Sequence, residues 1–195
     1  MWSVHPAPYT TVEQSFDAGS PQGQRYYSKA QQLRQLSDHA VDTMVEHGAN
    51  LDGDFTIAYL FPADGAVARV DPTATAFPGR QGGYDFHILA GWSEPGRDEE
   101  VMGWARRFNH AMAQHATGGV YVNLMADDEH DRVPAAYGPN YQRLAELKAV
   151  WDPDNVFCGN SNITPGAQPH EIPLMEDHRT GGQPSTVPPT GQPIC

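Results

Sequence analysis

Residues 84–92 read YDFHILAGW, and the alternation in this stretch decides the fold. A strand has period two, so Tyr84, Phe86, Ile88, Ala90 and Trp92 share one face while Asp85, His87, Leu89 and Gly91 share the other. The first face is apolar throughout and needs a partner layer. The next run, DEEVMGWARRFNHAMAQHA (98–116), carries its apolar residues at helical spacing instead: Val101, Trp104, Ala105, Phe108 and Met112. An apolar strand face followed by an apolar helix stripe predicts a helix lying on a sheet.

Working outward, FTIAYLFPA, an Asp64-Gly65 turn and GAVARV predict a hairpin over 55–70. A helix is expected over roughly 37–47, started by Ser37 or Asp38 and stopped by Gly48, with Val41, Met44 and Val45 on one face. Downstream, Gly118-Gly119 ends the long helix and GVYVNLM (119–125) reads as a fourth strand. A short amphipathic helix then lies between two turn-rich segments, YGPNY (137–141) and DPDN (152–155). The expected class is α+β, an antiparallel sheet with helices packed on one face. Residues 1–25 read as an extended lead-in, 26–165 as one domain, and the Pro/Gly-rich 166–195 as a disordered tail that cannot bury enough apolar surface to fold.

Composition narrows the function. Twelve Lys and Arg against 24 Asp and Glu give a net charge of −12, which argues against a nucleic-acid partner because counterion release needs clustered cations. No apolar run reaches the length of a membrane span. The start, MWSVHPAPYTT, lacks the basic and apolar regions of a secretory signal, and Cys158 and Cys195 have no metal or redox spacing. Both cysteines are therefore read as reduced bystanders in a cytoplasmic protein. No metal site is expected: DDEHD (127–131) reads as a solvated loop, and His110 and His115 are five apart, off a shared helical face.

Asp85 and His87, two positions apart on one strand face, allow two readings. They are wet residues on the open side of a sheet, or they project into one pocket as an acid/base pair. Tyr121 and Asn123 would repeat the pattern in the next strand, where Asn is unfavourable unless it has a specific partner.

Three motifs follow in order: Tyr121-Val122-Asn123, then YGPNYQRL (137–144), then DPDNVF (152–157), with Asn162-Ile163 as a closing turn. Together they resemble the C-terminal signature of the berberine-bridge-enzyme-like FAD-linked oxidases. ATAFPGR (74–80) and the 84–92 strand resemble that family's substrate domain, so the likeness runs from about residue 10 to 165. It implies FAD as cofactor and hydride transfer to the flavin from a small organic alcohol, amine or sugar-like substrate. It also implies that Asn123, Tyr137 and Asn155 lie near the flavin, that Asp85 is the base or its partner, and that His87 and Tyr121 orient substrate. The sequence departs from the family pattern in two ways. Leu124 stands where many members place a tyrosine thought to act as base. No glycine-rich phosphate loop and no Arg-Ser-Gly-Gly-His flavinylation segment appear. The expected partners are thus a small-molecule substrate and a separate FAD-binding domain, or a homo-oligomer, with an exposed apolar patch around Tyr121, Tyr137 and Leu89. The alternative is a non-catalytic remnant that binds a small molecule or a protein.

Overall fold

The computed structural model describes residues 6–14, 17, 21–50 and 52–167. The elements in order are α1 (Tyr9–Gln14), β1 (Arg25–Leu33), α2 (Asp38–Gly48), β2 (Ile57–Pro62), β3 (Tyr84–Trp92), α3 (Asp98–Ala113), α4 (Val133–Tyr137) and α5 (Tyr141–Trp151). The three strands form an antiparallel sheet in the order β1-β3-β2. The class is α+β, as the alternation in 84–92 predicts. All but two of the residues in the expected tail lie outside the described residues.

β3 runs up the middle of the sheet, and its apolar face is the floor of the core. Phe86, Ile88, Ala90 and Trp92 are buried against Val101, Trp104, Ala105, Phe108 and Met112 of α3. Phe108 stacks edge-on against both Phe86 and Trp104. The acidic first turn of α3 suits the positive end of the helix dipole. Asp98 in that turn also ties the helix to the sheet, accepting from Arg25 Nε at 2.6 Å and Trp92 Nε1 at 2.8 Å. α2 begins as expected, with Ser37 Oγ accepting from Ala40 N at 3.2 Å. Its inward side chains are Ala40 and Met44; Val41 and Val45 are exposed, because α2 docks on α3 along a different stripe from the one its valines mark.

Two expected strands are absent. The Asp64-Gly65 turn forms, with Gly65 at φ +69°, but residues 67–69 make a 3-10 turn and β2 pairs with β3 instead. GAVARV leaves Val67 and Val70 exposed, so pairing it with β2 would bury little, whereas β3 brings the whole core face. The loop between β2 and β3 closes through Ala63 N to Gly83 O at 2.9 Å and Gly83 N to Asp64 Oδ1 at 3.3 Å. In the second case, residues 116–119 run only briefly beside β1, through Thr117 N to Gln32 O at 2.7 Å and Gln32 N to Gly119 O at 3.2 Å. The chain then turns into a 3-10 helix at Val122–Leu124. Its apolar residues form a second cluster with Ala30 and Ala136 on the sheet face opposite α3.

β1 was not marked by any periodicity. RYYSKAQQL is polar at most positions, yet it is the best-covered edge of the sheet. Lys29 is buried, with Nζ 2.7 Å from Asp128 Oδ1 and 3.1 Å from Glu129 Oε2. Glu129 is buried too and bonds Arg132 Nη1 at 2.6 Å. The DDEHD segment is therefore an ion-paired clamp on β1, not a solvated loop. Cys158 is likewise disulfide-bonded, which corrects the reduced-bystander reading and removes its support for a reducing compartment. Among the described residues no helix is long and apolar enough to cross a membrane.

Candidate functional site

The sheet face turned away from α3 carries the polar side chains of β3. Antiparallel register sets Ala30 and Tyr59 on either side of His87, and Gln32 and Phe61 on either side of Asp85. His87 is buried and uses both ring nitrogens. Nε2 lies 2.7 Å from Ser28 Oγ, and Nδ1 is hydrogen-bonded to the hydroxyl of Tyr59. Ser28 Oγ donates in turn to the carbonyl of Leu124 at 2.7 Å. Burial holds His87 well below the ordinary imidazole range, at about 4, so the ring is neutral at pH 7.

Asp85 is half-buried, and its carboxyl is pushed up by burial, with a hydrogen bond from Gln32 opposing the shift. Burial accounts for the shift of His87, and for Asp85 burial is opposed by its cross-strand partner Gln32. Asp85 and His87 thus share a face, each with its own cross-strand neighbours. Gln32 lines a cavity of about 210 Å³ with Phe77, Gly119, Tyr121 and Gly138, so Asp85 is linked to that cleft through Gln32.

Tyr121 sits in the same cleft, its ring edge-on to Phe77 with centroids 5.4 Å apart. Its hydroxyl accepts from Asn123 Nδ2 at 2.8 Å, so the expected partner of Asn123 is found, although no strand holds the pair. Asn123 and Tyr137 line a larger cavity of about 560 Å³ together with Asp127, His130, Asn160 and Ser161. Burial raises the Tyr137 hydroxyl above the usual phenol range. Asn155 does not line that cavity. It holds a left-handed turn at φ +52°, and its Oδ1 is buried without a hydrogen-bond partner among the described residues.

The two turn-rich segments around α5 have structural work of their own. Asn140 is buried and its Nδ2 donates to Pro72 O at 2.8 Å and Thr75 O at 3.0 Å, fastening the 72–76 loop to the start of α5. Asp152 accepts from Val156 N at 2.7 Å and from Lys148 Nζ, closing the turn after the helix. Sequence reasoning missed Ser28 and Tyr59. Tyr59 alternates with Ile57 and Phe61, which marks a strand face, but its position opposite His87 depends on a register that the sequence does not print.

Residues 120–164 match the family model described as berberine and berberine-like. The chain is 30% identical over 133 residues to an uncharacterised FAD-linked oxidoreductase, YgaK, of Bacillus subtilis, covering 67% of this chain and 29% of that protein. The chain carries a berberine-like segment. Among solved structures it is similar to a glycopeptide hexose oxidase complexed with teicoplanin, with TM-score 0.66, 27% identity, and coverage of 73% of this chain and 33% of the other. It is also similar to aclacinomycin oxidoreductase, with TM-score 0.64, 25% identity, and coverage of 73% and 33%. The chain spans about 29% of the length of the first curated relatives it matches.

The described residues fit only part of FAD. The amide of Asn123 and the hydroxyl of Tyr137 offer polar contacts to the edge of a flavin ring, and the 560 Å³ cavity has room beside them. No Lys or Arg lines that cavity, so nothing there suits a pyrophosphate.

Proposed function

We propose that this chain is the substrate-side portion of an FAD-dependent oxidoreductase that works on a small organic alcohol, amine or sugar-like molecule. The berberine-like segment and the similarity to FAD-linked oxidoreductases support this reading. The observation that carries it is the hydrogen-bonded row Tyr59, His87, Ser28 on the sheet face away from the core, with Asp85 beside it. A buried neutral imidazole with both nitrogens committed is costly to build and is common at sites that handle protons.

Flavin, when bound, supplies the hydride acceptor. Asn123 and Tyr137, which line the 560 Å³ cavity, are the residues of this chain that would meet its ring, and Asn155, outside that cavity, would not. Asp85, raised by burial, takes the proton released from the substrate hydroxyl or amine; His87 and Tyr121 orient the substrate. The pyrophosphate is held by an FAD-binding domain that these residues do not provide. Leu124 favours a second reading, a non-catalytic binding module, because a leucine side chain cannot act as the family's tyrosine base.

The purified 195-residue chain is expected to be colourless, and to bleach flavin anaerobically only with an FAD-binding domain of a relative present. In that complex Asp85→Asn slows flavin reduction on the order of a hundred- to ten-thousand-fold. Wild-type reduction by Asp85→Asn removes Asp85 from the mechanism. No reduction by any complemented chain supports the binding module.

A further inference from the structure

The row Tyr59–His87–Ser28–Leu124 has a direction, and the direction has a chemical consequence. The single hydrogen of Ser28 Oγ is committed to the Leu124 carbonyl at 2.7 Å. Ser28 can therefore only accept from His87, so the ring hydrogen sits on Nε2, 2.7 Å away. Nδ1 of the neutral ring is then a lone pair, and the hydrogen bond it shares with Tyr59 runs from the phenol to the imidazole. The hydroxyl hydrogen of Tyr59 is thus turned inward. What Tyr59 can offer outward is a pair of acceptor sites and no donor.

The strand face around Tyr59 is largely apolar. Ile57 and Phe61 flank Tyr59 on the same face of β2 and are 46% and 51% exposed, and Leu89 lies opposite Ile57 on β3. The Phe61 ring packs edge-on to that of Tyr59 at 4.8 Å between centroids. Asp85, the next polar group on the face, is engaged by Gln32 on the far side of β3.

We propose that Tyr59 is a specificity-determining residue: its outward-facing lone pairs, set among Ile57, Phe61 and Leu89, select an apolar ring compound that donates a hydrogen bond, such as one bearing a hydroxyl. Ser28 and the Leu124 carbonyl are positioning groups, since they act only by fixing the tautomer of His87. The residue that lacks the family's hydroxyl still contributes through its backbone. As a statement about substrate the proposal rests on the oxidoreductase reading above; as a statement about binding it needs no flavin.

The probes are benzyl alcohol and benzyl methyl ether, which share the ring and differ in the donor. Their binding to the full chain is followed by methyl NMR at Ile57 and Leu89, and the His87 tautomer by nitrogen NMR of the ring. The expected result is Nε2–H in the wild type, with the alcohol binding about tenfold more tightly than the ether, the worth of one hydrogen bond. Tyr59→Phe should abolish the discrimination while keeping the fold. Ser28→Ala should let the ring lose its single tautomer, and Ser28→Thr should restore it. Equal binding of both probes by the wild type, no binding of either, an Nδ1–H ring, or discrimination retained in Tyr59→Phe would each overturn the proposal. Discrimination by a chain that never supports flavin reduction leaves this inference standing and removes the oxidoreductase reading instead.

Discussion

Lys29 Nζ lies 2.7 Å from Asp128 Oδ1, joining a strand to a loop 99 residues later in the chain. Burial alone would lower the lysine, yet its bonds to Asp128, Tyr27 and Glu129 leave it raised. Burial would raise Asp128, but Lys29, Tyr27 and Arg106 together hold it at about 2. Asp128→Asn removes a charge from a buried cation that has only Glu129 left as a carboxylate partner. The expected loss is about 1–3 kcal/mol, read from urea unfolding at neutral pH. A loss below about 0.5 kcal/mol would return the segment to the status of a solvated loop.

His87 gives the protein a pH dependence with a defined sign. Its imidazole stays neutral in the fold down to about 4, against 6.5 for the ordinary group. The unfolded chain therefore binds this proton first, and stability is full above pH 6.5 and falls as pH drops toward 4. The difference of 2.5 pH units corresponds to about 3 kcal/mol. Relative to His87→Gln, which cannot titrate there, the wild type should lose about that amount between roughly pH 7.5 and pH 4. Parallel stability curves for the two proteins would show that the ring is not buried as described.

Gly83 enters β3 at φ +94°, and a Cβ built there would stand 2.1 Å from the carbonyl oxygen of Leu33. The obstacle is backbone in β1, which cannot swing aside as a side chain could. Gly83→Ala is expected to cost about 3 kcal/mol or more, seen as a large fall in the unfolding midpoint or as insoluble expression. Gly48→Ala, with open space around its Cβ position, is the control and should be near neutral.

Asn140 distinguishes a donor from an acceptor. Its Nδ2 faces the carbonyls of Pro72 and Thr75 at 2.8 and 3.0 Å. Asn140→Ala loses both bonds and should cost about 1–3 kcal/mol. Asn140→Asp keeps the shape but points a carboxylate at carbonyl oxygens, so it should cost more than alanine at pH 7. Hydrogen exchange across residues 72–76 checks the placement, because protection there should fall in both variants.

The exposed apolar surface lies partly away from the expected patch. Trp151, Val156 and Phe157 are 76%, 68% and 80% exposed, held outward on the turn that Asp152 closes. Tyr121, Tyr137 and Leu89 are only partly exposed. Self-association through these side chains is a testable consequence of their exposure. The double change Trp151→Ser and Phe157→Ser should reduce self-association in sedimentation velocity, while unfolding free energy shifts by less than about 0.5 kcal/mol. Unchanged sedimentation would rule that consequence out.

The sequence by itself determined the central strand at 84–92, the helix on its apolar face, and the five residues of that helix that reach the core. Both signals are local: period two and period 3.6 are written within one segment, and burial follows from them. The family motifs were equally legible, because they are strings of neighbouring residues. Tertiary structure alone decided what β2 pairs with, since Asp64-Gly65 permits a hairpin with either neighbour and only the buried face of β3 makes one choice favourable. It alone showed that polar β1 is a strand, because its stability comes from Lys29 meeting Asp128 and from nine residues of pairing with β3. It alone assembled Tyr59, His87, Ser28 and the Leu124 carbonyl into one hydrogen-bonded row. Those residues come from two edge strands, the central strand and a distant turn, and a one-residue slip in register would turn a strand's contribution to the opposite face of the sheet.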